Sequence, residues 1–301
     1  MTMDILITGA SGLVGSALIP LLTTAGHQIT RLVRSPPRSE QEIQWDPQTG
    51  MRNFARLEGL DAVIHLAGES IAAGRWTEEQ KRRIRDSRVT GTQTLCTALT
   101  QLALPPKVLI SASALGYYGD RGEEILYEGS PPGRGFLPEV CIAWEEATKP
   151  AEKSGIRVVL LRIGIVLSPT GGALAKMLLP FKLGLGGVVG SGQQYMSWIA
   201  LDDVIGAIAH ALTTEALWGP VNCVAPNPVT NREFTKTLGH VLNRPTLFPV
   251  PAFVLRLTLG EMANDLLLSG ARLEPRRLLE TQYRFHYPQL EGALRYVLGK
   301  I

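Results

Sequence analysis

The sequence predicts an α/β fold: a doubly wound parallel sheet with a smaller C-terminal α/β lobe. Three observations point there. Short apolar runs alternate with longer amphipathic stretches through the first two thirds of the chain, the pattern of strand–helix units laid side by side. Residues 157–167 are apolar almost throughout, as expected of a strand covered on both faces. After Ser168 the pattern changes to glycine-rich and then proline-rich sequence, which marks a second, smaller unit.

Taken in order, Ile5-Leu6-Ile7 predicts a buried strand. Residues 13–25 predict a helix, with Gly26 where a C-terminal cap belongs. Strands are expected at 28–33, 62–66, 107–110, 157–167 and 221–224. Residues 78–102 carry Ile84, Leu95 and Leu99 among charges and predict a long helix. Residues 137–153 predict another, kinked or ended by Pro150. Residues 202–212 read as helical, with Asp202 and Asp203 as cap and dipole partners. Residues 230–242 read as a helix whose Thr230 or Asn231 cap and Glu233 suit a capping box. These elements divide into a first domain over 1–170, completed by 198–225, and a lobe over 226–301 together with 171–197. No internal repeat is found.

Composition narrows the function. The 301 residues are 45% hydrophobic and 19% charged, with 30 basic and 27 acidic residues for a net charge of +3. That balance argues against a nucleic-acid partner, and the run Lys81-Arg82-Arg83-Ile84-Arg85 reads as a solvated helix face. Three dispersed cysteines (Cys96, Cys141, Cys223) without a Cys-x-x-Cys indicate neither disulfides nor zinc. No metal site is expected. No apolar run approaches the roughly 18 residues of a membrane helix, and the start lacks the features of a signal peptide. The expectation is a cytoplasmic protein with reduced thiols.

The sharpest motif is Gly9-Ala10-Ser11-Gly12-Leu13-Val14-Gly15, directly after the first strand and opening the first helix. A helix N-terminus offers free N–H groups and a positive dipole end. Glycines there permit a tight turn, close approach of a phosphate and tight helix–strand packing. Gly9, Ser11, Gly12, Leu13, Val14 and Gly15 are therefore expected to cradle a dinucleotide pyrophosphate. The second strand ends in Leu32-Val33-Arg34-Ser35, with no acid to bind an adenosine ribose. A guanidinium matches phosphate geometry, so Arg34, with Ser35 beside it, predicts NADP as the cofactor.

With these go Leu66-Ala67-Gly68, at the end of the third expected strand, and Ser111-Ala112-Ser113-Ala114-Leu115-Gly116-Tyr117-Tyr118-Gly119. Together they resemble the NAD-dependent epimerase/dehydratase superfamily, the extended short-chain dehydrogenases/reductases. Residues 178–187, Gly190-Ser191-Gly192-Gln193-Gln194 and Trp198-Ile199 are similar to its branch of epimerase family proteins, as is the segment 244–298. The resemblance covers essentially the whole chain. It implies a Rossmann-like fold, bound NADP, and cofactor contacts from Leu66, Ala67, Gly68, Ile163 and the neighbouring Gly164. Arg88 stands where the superfamily has an asparagine; reaching a cofactor phosphate or ribose and making a helix-surface salt bridge both remain open for it.

The catalytic pattern departs from the family. A tyrosine that exchanges a proton and a lysine that lowers its pKa should lie four apart near the start of the helix at 137–153. That stretch has no tyrosine; Cys141 stands near the vacancy. Tyr296 and Lys300 have the spacing but lie at the chain end. The candidates left to handle a substrate carbonyl are Ser113, Tyr117 and Tyr118. Lys182, Gln193, Gln194 and Trp198 fall on the substrate side if the lobe folds over the sheet's carboxyl edge. The expected function is NADP-dependent reduction or epimerisation of a small carbonyl or sugar-like compound; the alternative is a catalytically silent NADP-binding redox sensor or partner-binding protein. A homodimer is expected by analogy alone.

Overall fold

The computed structural model describes residues 2–50 and 54–300. Seven parallel strands form the central sheet: β1 (Asp4–Thr8), β2 (Gln28–Val33), β3 (Glu42–Gln44), β4 (Ala62–His65), β5 (Val108–Ala114), β6 (Arg157–Ile163) and β7 (Gly219–Cys223). Their order is β7-β6-β5-β4-β1-β2-β3. The chain runs outward from β1 through β2 and β3, then crosses back to β4 and continues the other way. The order reverses between β1 and β4, and in such sheets the crevice at that switch point holds the ligand.

Alternation along the strands builds two cores. Ile5, Ile7, Ile64, Ile110, Val159 and Leu161 face helices α1 (Leu13–Thr24) and α6 (Leu201–Thr213), meeting Leu18, Leu22, Val204 and Ile208. Leu6, Val63, Leu109 and Val158 face the other way, onto Leu95 and Leu99 of α2 (Glu78–Thr100). Thr77 starts α2 by accepting from the Gln80 amide (3.2 Å), and Glu78 and Glu79 complement the dipole of its first turn.

Each break in the longer predicted elements has a definite steric or backbone cause. The expected helix at 137–153 divides into α3 (Phe136–Glu146) and α4 (Lys149–Lys153), with Pro150 inside the first turn of α4, where its missing N–H costs nothing. The expected strand at 157–167 breaks at Gly164. A Cβ there would stand 2.5 Å from the Ser197 carbonyl oxygen and 2.7 Å from the Val224 side chain. The chain leaves the sheet at this point, and Ile165–Leu167 pairs instead with Trp198–Ala200.

The glycine-rich stretch after Ser168 contains a helix, α5 (Gly172–Lys182). It packs with α7 (Asn231–Leu242) and the last helix, Leu290–Val297, around Leu174, Phe181, Trp198, Phe234, Leu238 and Leu294. The capping box of α7 forms as its sequence predicts: Thr230 Oγ1 accepts from the Glu233 amide (3.2 Å), and Glu233 accepts from the Thr230 amide (2.7 Å). Ala200, not an aspartate, occupies the N-cap of α6. Asp203 is instead fully buried and holds the C-terminal segment, accepting from the amides of His286 (2.7 Å) and Tyr287 (3.0 Å) and from the Tyr283 hydroxyl (3.3 Å).

A buried polar chain joins the layers beneath the crevice. Thr8 Oγ1 accepts from the amides of Leu66 (3.1 Å) and Ala67 (3.2 Å), so its own hydrogen goes to His65 Nδ1 (2.7 Å). The other ring nitrogen, Nε2, then donates to Thr92 Oγ1 (3.0 Å), which also accepts from Trp144 Nε1 (2.9 Å). Burial pulls the His65 pKa down to about 4, so the ring is a neutral strut between β1, β4, α2 and α3. Among the described residues no helix is long and apolar enough to cross a membrane, and no cluster of metal-ligating side chains occurs.

Candidate functional site

The turn from β1 into α1 lies at the switch point. Gly9 has φ +69°, and a Cβ on it would stand 2.7 Å from the carbonyl carbon and oxygen of Leu66, at the end of β4. A Cβ on Gly15 would collide with the Gly9 carbonyl. Both positions therefore require glycine, and the turn lies flat against the neighbouring strand. Gly12 is the N-cap of α1; it supplies no side-chain acceptor, and the first turn holds no acid. The first-turn amides, Leu13 and Val14 among them, thus keep their hydrogens and the dipole's positive end for an outside anion. Gly171 lies over this opening, where a Cβ would meet the Leu13 side chain at 3.1 Å. Ser11 is exposed beside it.

Next in the sheet, Arg34 follows the last residue of β2. Its carbonyl accepts from Gln44 Nε2 (3.3 Å). Its side chain is exposed and, among the described residues, makes no hydrogen bond or ion pair. The nearby acid Glu42 pairs with Arg31 (3.2 Å) and so leaves Arg34 alone. Ser35 is exposed at its side. These features fit a dinucleotide: a bare amide turn for a pyrophosphate, and an unpaired guanidinium for an adenosine phosphate.

At the other end of the crevice the polar groups are already paired. Arg162, on β6, points to α3 and binds Glu145 in a two-pronged pair, Nε to Oε1 and Nη2 to Oε2, each 2.8 Å. The two side chains are 3% and 11% exposed. Burial works against the Arg162 charge; Glu145 and Tyr118 more than offset it, and the pKa is raised. The Ser113 hydroxyl donates to the same carboxylate, to Oε1 (2.7 Å). Tyr118, the second phenol after β5, is fully buried. Its oxygen accepts from Arg162 Nη1 (2.9 Å) and donates to Asn222 Oδ1 (2.7 Å). Burial raises its pKa to about 12 against the opposing pull of Arg162. Tyr117 is half-buried, with its ring 3.4 Å from the Arg162 guanidinium carbon and edge-on to Tyr118. Its hydroxyl makes no hydrogen bond among the described residues.

One turn earlier on α3, the face toward the β5 end is neutral. Leu137 Cβ lies 3.3 Å, and Cys141 Sγ 3.7 Å, from where a Gly116 Cβ would be. Cys141 is buried and its thiol pKa is pushed up to about 12, chiefly by burial. Arg88, on α2, is half-buried, with its guanidinium over the Trp144 ring (5.1 Å) and beside Gly68.

Most of the sequence-predicted cofactor residues thus gather at the carboxyl ends of β1, β2 and β4, with Arg88 of α2 beside Gly68. Ile163 ends β6, opposite Ala114 and Cys223. The substrate-side candidates are not gathered in the same way. Lys182 is exposed in the last turn of α5 and Gln193 is exposed beyond it. Gln194 Nε2 bonds the carbonyls of Val189 (3.1 Å) and Leu267 (2.8 Å). Trp198 is fully buried in the lobe core, with Nε1 donating to the Asn227 carbonyl (3.1 Å). Sequence reasoning passed over Glu145, Arg162 and Asn222. A signal existed for Arg162: a charged residue inside an apolar strand needs a buried partner.

Sheet order and glycine turn together define the Rossmann-like class. Residues 5–222 match the NAD dependent epimerase/dehydratase family, and residues 250–297 match a domain of unknown function (DUF1731). The chain belongs to that epimerase/dehydratase family. It is 44% identical over 290 residues to an epimerase family protein of Mycobacterium bovis, covering 96% of each chain. The human epimerase family protein SDR39U1 (isoform 2), solved with NADPH, superposes with a TM-score of 0.92 at 36% identity, over 99% of this chain and 100% of that one. A UDP-glucuronic acid 4-epimerase from Bacillus cereus, solved with UDP-glucuronic acid and NAD, shares the fold at a TM-score of 0.78 and 17% identity, over 99% and 98%.

Proposed function

We propose that this chain binds NADP and acts as an oxidoreductase on a small carbonyl or sugar-like compound. The observation that carries the reading is the pairing of the uncapped α1 N-terminus, sealed by glycines against β4, with the unpaired Arg34 one strand away. The first-turn amides, Leu13 and Val14 among them, hold the pyrophosphate and Arg34 holds the adenosine's extra phosphate. NADPH supplies a hydride when bound. At the substrate end Tyr117 presents the free phenol, its ring held flat on Arg162, and donates a hydrogen bond to the carbonyl oxygen. Tyr118 and Ser113 act from behind: both hydroxyls are committed as donors to Asn222 and Glu145, and they fix the Arg162 platform.

A second reading, NADP binding without turnover, is favoured by one observation: α3 turns Leu137 and Cys141, not an acid–base pair, toward the end of β5. Steady NADPH oxidation across a panel of small aldehydes, ketones and keto sugars separates the two. The first reading expects turnover that falls about a hundredfold or more in Tyr117→Phe. Turnover untouched by Tyr117→Phe removes the phenol's role, and tight NADPH binding with no turnover on any compound gives the second reading the lead.

A further inference from the structure

Among the described residues, Arg88 is a cation without an ion-pair partner. Its Nη1 donates to the Ile84 carbonyl (3.0 Å) within its own helix. Among the described residues, Nε and Nη2 have no hydrogen-bond partner and no carboxylate lies within ion-pair reach. The guanidinium rests on the Trp144 ring (5.1 Å), which fixes its plane. It stands 3.4 Å from where a Gly68 Cβ would be, at the exit of β4. Burial pulls its pKa down, against weak support from Cys141 and Glu69. A half-buried guanidinium with idle donors is costly unless something binds it.

The sheet order says what that is. Adenosine over Arg34 at β2 and pyrophosphate over the β1 turn direct the rest of an extended dinucleotide across β4 to β5, about two further strand spacings of roughly 4.8 Å each. Gly68 follows the end of β4, and Cys141, one turn from the Trp144 that lies under Arg88, touches the Ala114 carbonyl at the end of β5 (3.9 Å). Arg88 therefore lies on the path of the second half of the cofactor.

Resting on the NADP reading above, we propose that Arg88 binds the nicotinamide half, donating Nε and Nη2 to its ribose hydroxyls and phosphate. The site's fixed positive charge at this end thus comes from α2, not from α3. Arginine cannot give up its proton near neutral pH, so Arg88 anchors the cofactor without exchanging protons with a substrate.

Calorimetric titration of the full chain with NADPH, NADH and 2′,5′-ADP tests the assignment, because the last ligand lacks the nicotinamide half. Arg88→Met is expected to weaken NADPH and NADH together, by about tenfold to a hundredfold for a lost charged hydrogen bond, and to leave 2′,5′-ADP unchanged. Arg88→Lys should recover part of the loss, and NADPH should quench Trp144 fluorescence less in Arg88→Met, read as the difference from a matched Trp144→Phe background. Unchanged NADPH affinity in Arg88→Met, or an equal loss for 2′,5′-ADP, overturns the assignment while leaving the NADP reading intact. Wild-type protein that binds neither NADPH nor 2′,5′-ADP defeats that reading, and this one with it.

Discussion

The two ends of the crevice are built on opposite plans. At the β1–β2 end, donors are left without acceptors: the first-turn amides of α1 have no side-chain cap, and Arg34 has no partner among the described residues. At the β5–β6 end nearly every polar group is consumed internally. Arg162, Glu145, Ser113, Tyr118 and Asn222 form one closed set. Unmet donors are where a structure expects a ligand, because the ligand supplies the missing acceptor; a closed set contributes rigidity.

The contrast can be broken most forcefully at the closed end. Arg162→Met leaves Glu145 buried and unpaired, and should cost about 3–5 kcal/mol of stability in urea unfolding at pH 7. Pairing it with Glu145→Leu should restore much of that. A loss below about 1 kcal/mol would mean that water reaches the pair and the end is not closed. The open end should respond through binding. Gly9→Ala places a side chain at φ +69° and 2.7 Å from the Leu66 carbonyl, a strain of about 2–3 kcal/mol. NADPH affinity should fall at least about tenfold as the turn moves. Gly12→Ala, at φ −76°, should be milder.

Beneath both ends, His65 gives a pH signature. Its folded pKa is about 4 against an ordinary 6.5, so below pH 6.5 the unfolded chain takes up a proton that the folded chain refuses. Its contribution is complete above pH 6.5 and is lost as the pH falls toward 4, by about 2 kcal/mol over that window. The difference in unfolding free energy between wild type and His65→Gln, followed from pH 7 to 4.5, should shrink by about this amount. A difference independent of pH would mean that the ring titrates alike in the folded and unfolded chain, and one that grows as the pH falls would place a charge, not a neutral ring, in the strut. The smallest effect belongs to the exposed Arg34. Arg34→Ala should leave stability unchanged and lower NADPH affinity by about tenfold while sparing NADH.

The sequence was most legible where one residue type has one physical use. The Gly9–Gly15 spacing located the switch point, and the capping box at Thr230 formed with its predicted partner. Arg34 stood out because no acid shared its loop. Gly164 gave no such sign: its role is a close approach to Ser197 and Val224, which are distant in sequence. Glu145 and Arg162 lie 17 residues apart on different elements, and periodicity does not pair a helix carboxylate with a strand guanidinium. The Asp202-Asp203 pair does lie in the first turn of α6, past the cap, but Asp203 also binds backbone amides 83 and 84 residues away. Trp198 is expected on the substrate side with Lys182, Gln193 and Gln194, yet it is a fully buried core residue. Long-range partners decide such roles, and a single sequence carries no record of them.

The claim most open to direct examination is that the bare α1 terminus and Arg34 hold the two ends of one NADPH. A crystal structure of this chain grown with NADPH should place pyrophosphate oxygens about 2.7–3.2 Å from the amides of Leu13 and Val14 and the adenosine phosphate in bidentate contact with Arg34. A cofactor seated elsewhere, or an Arg34 guanidinium turned to solvent with the phosphate free, would contradict the account.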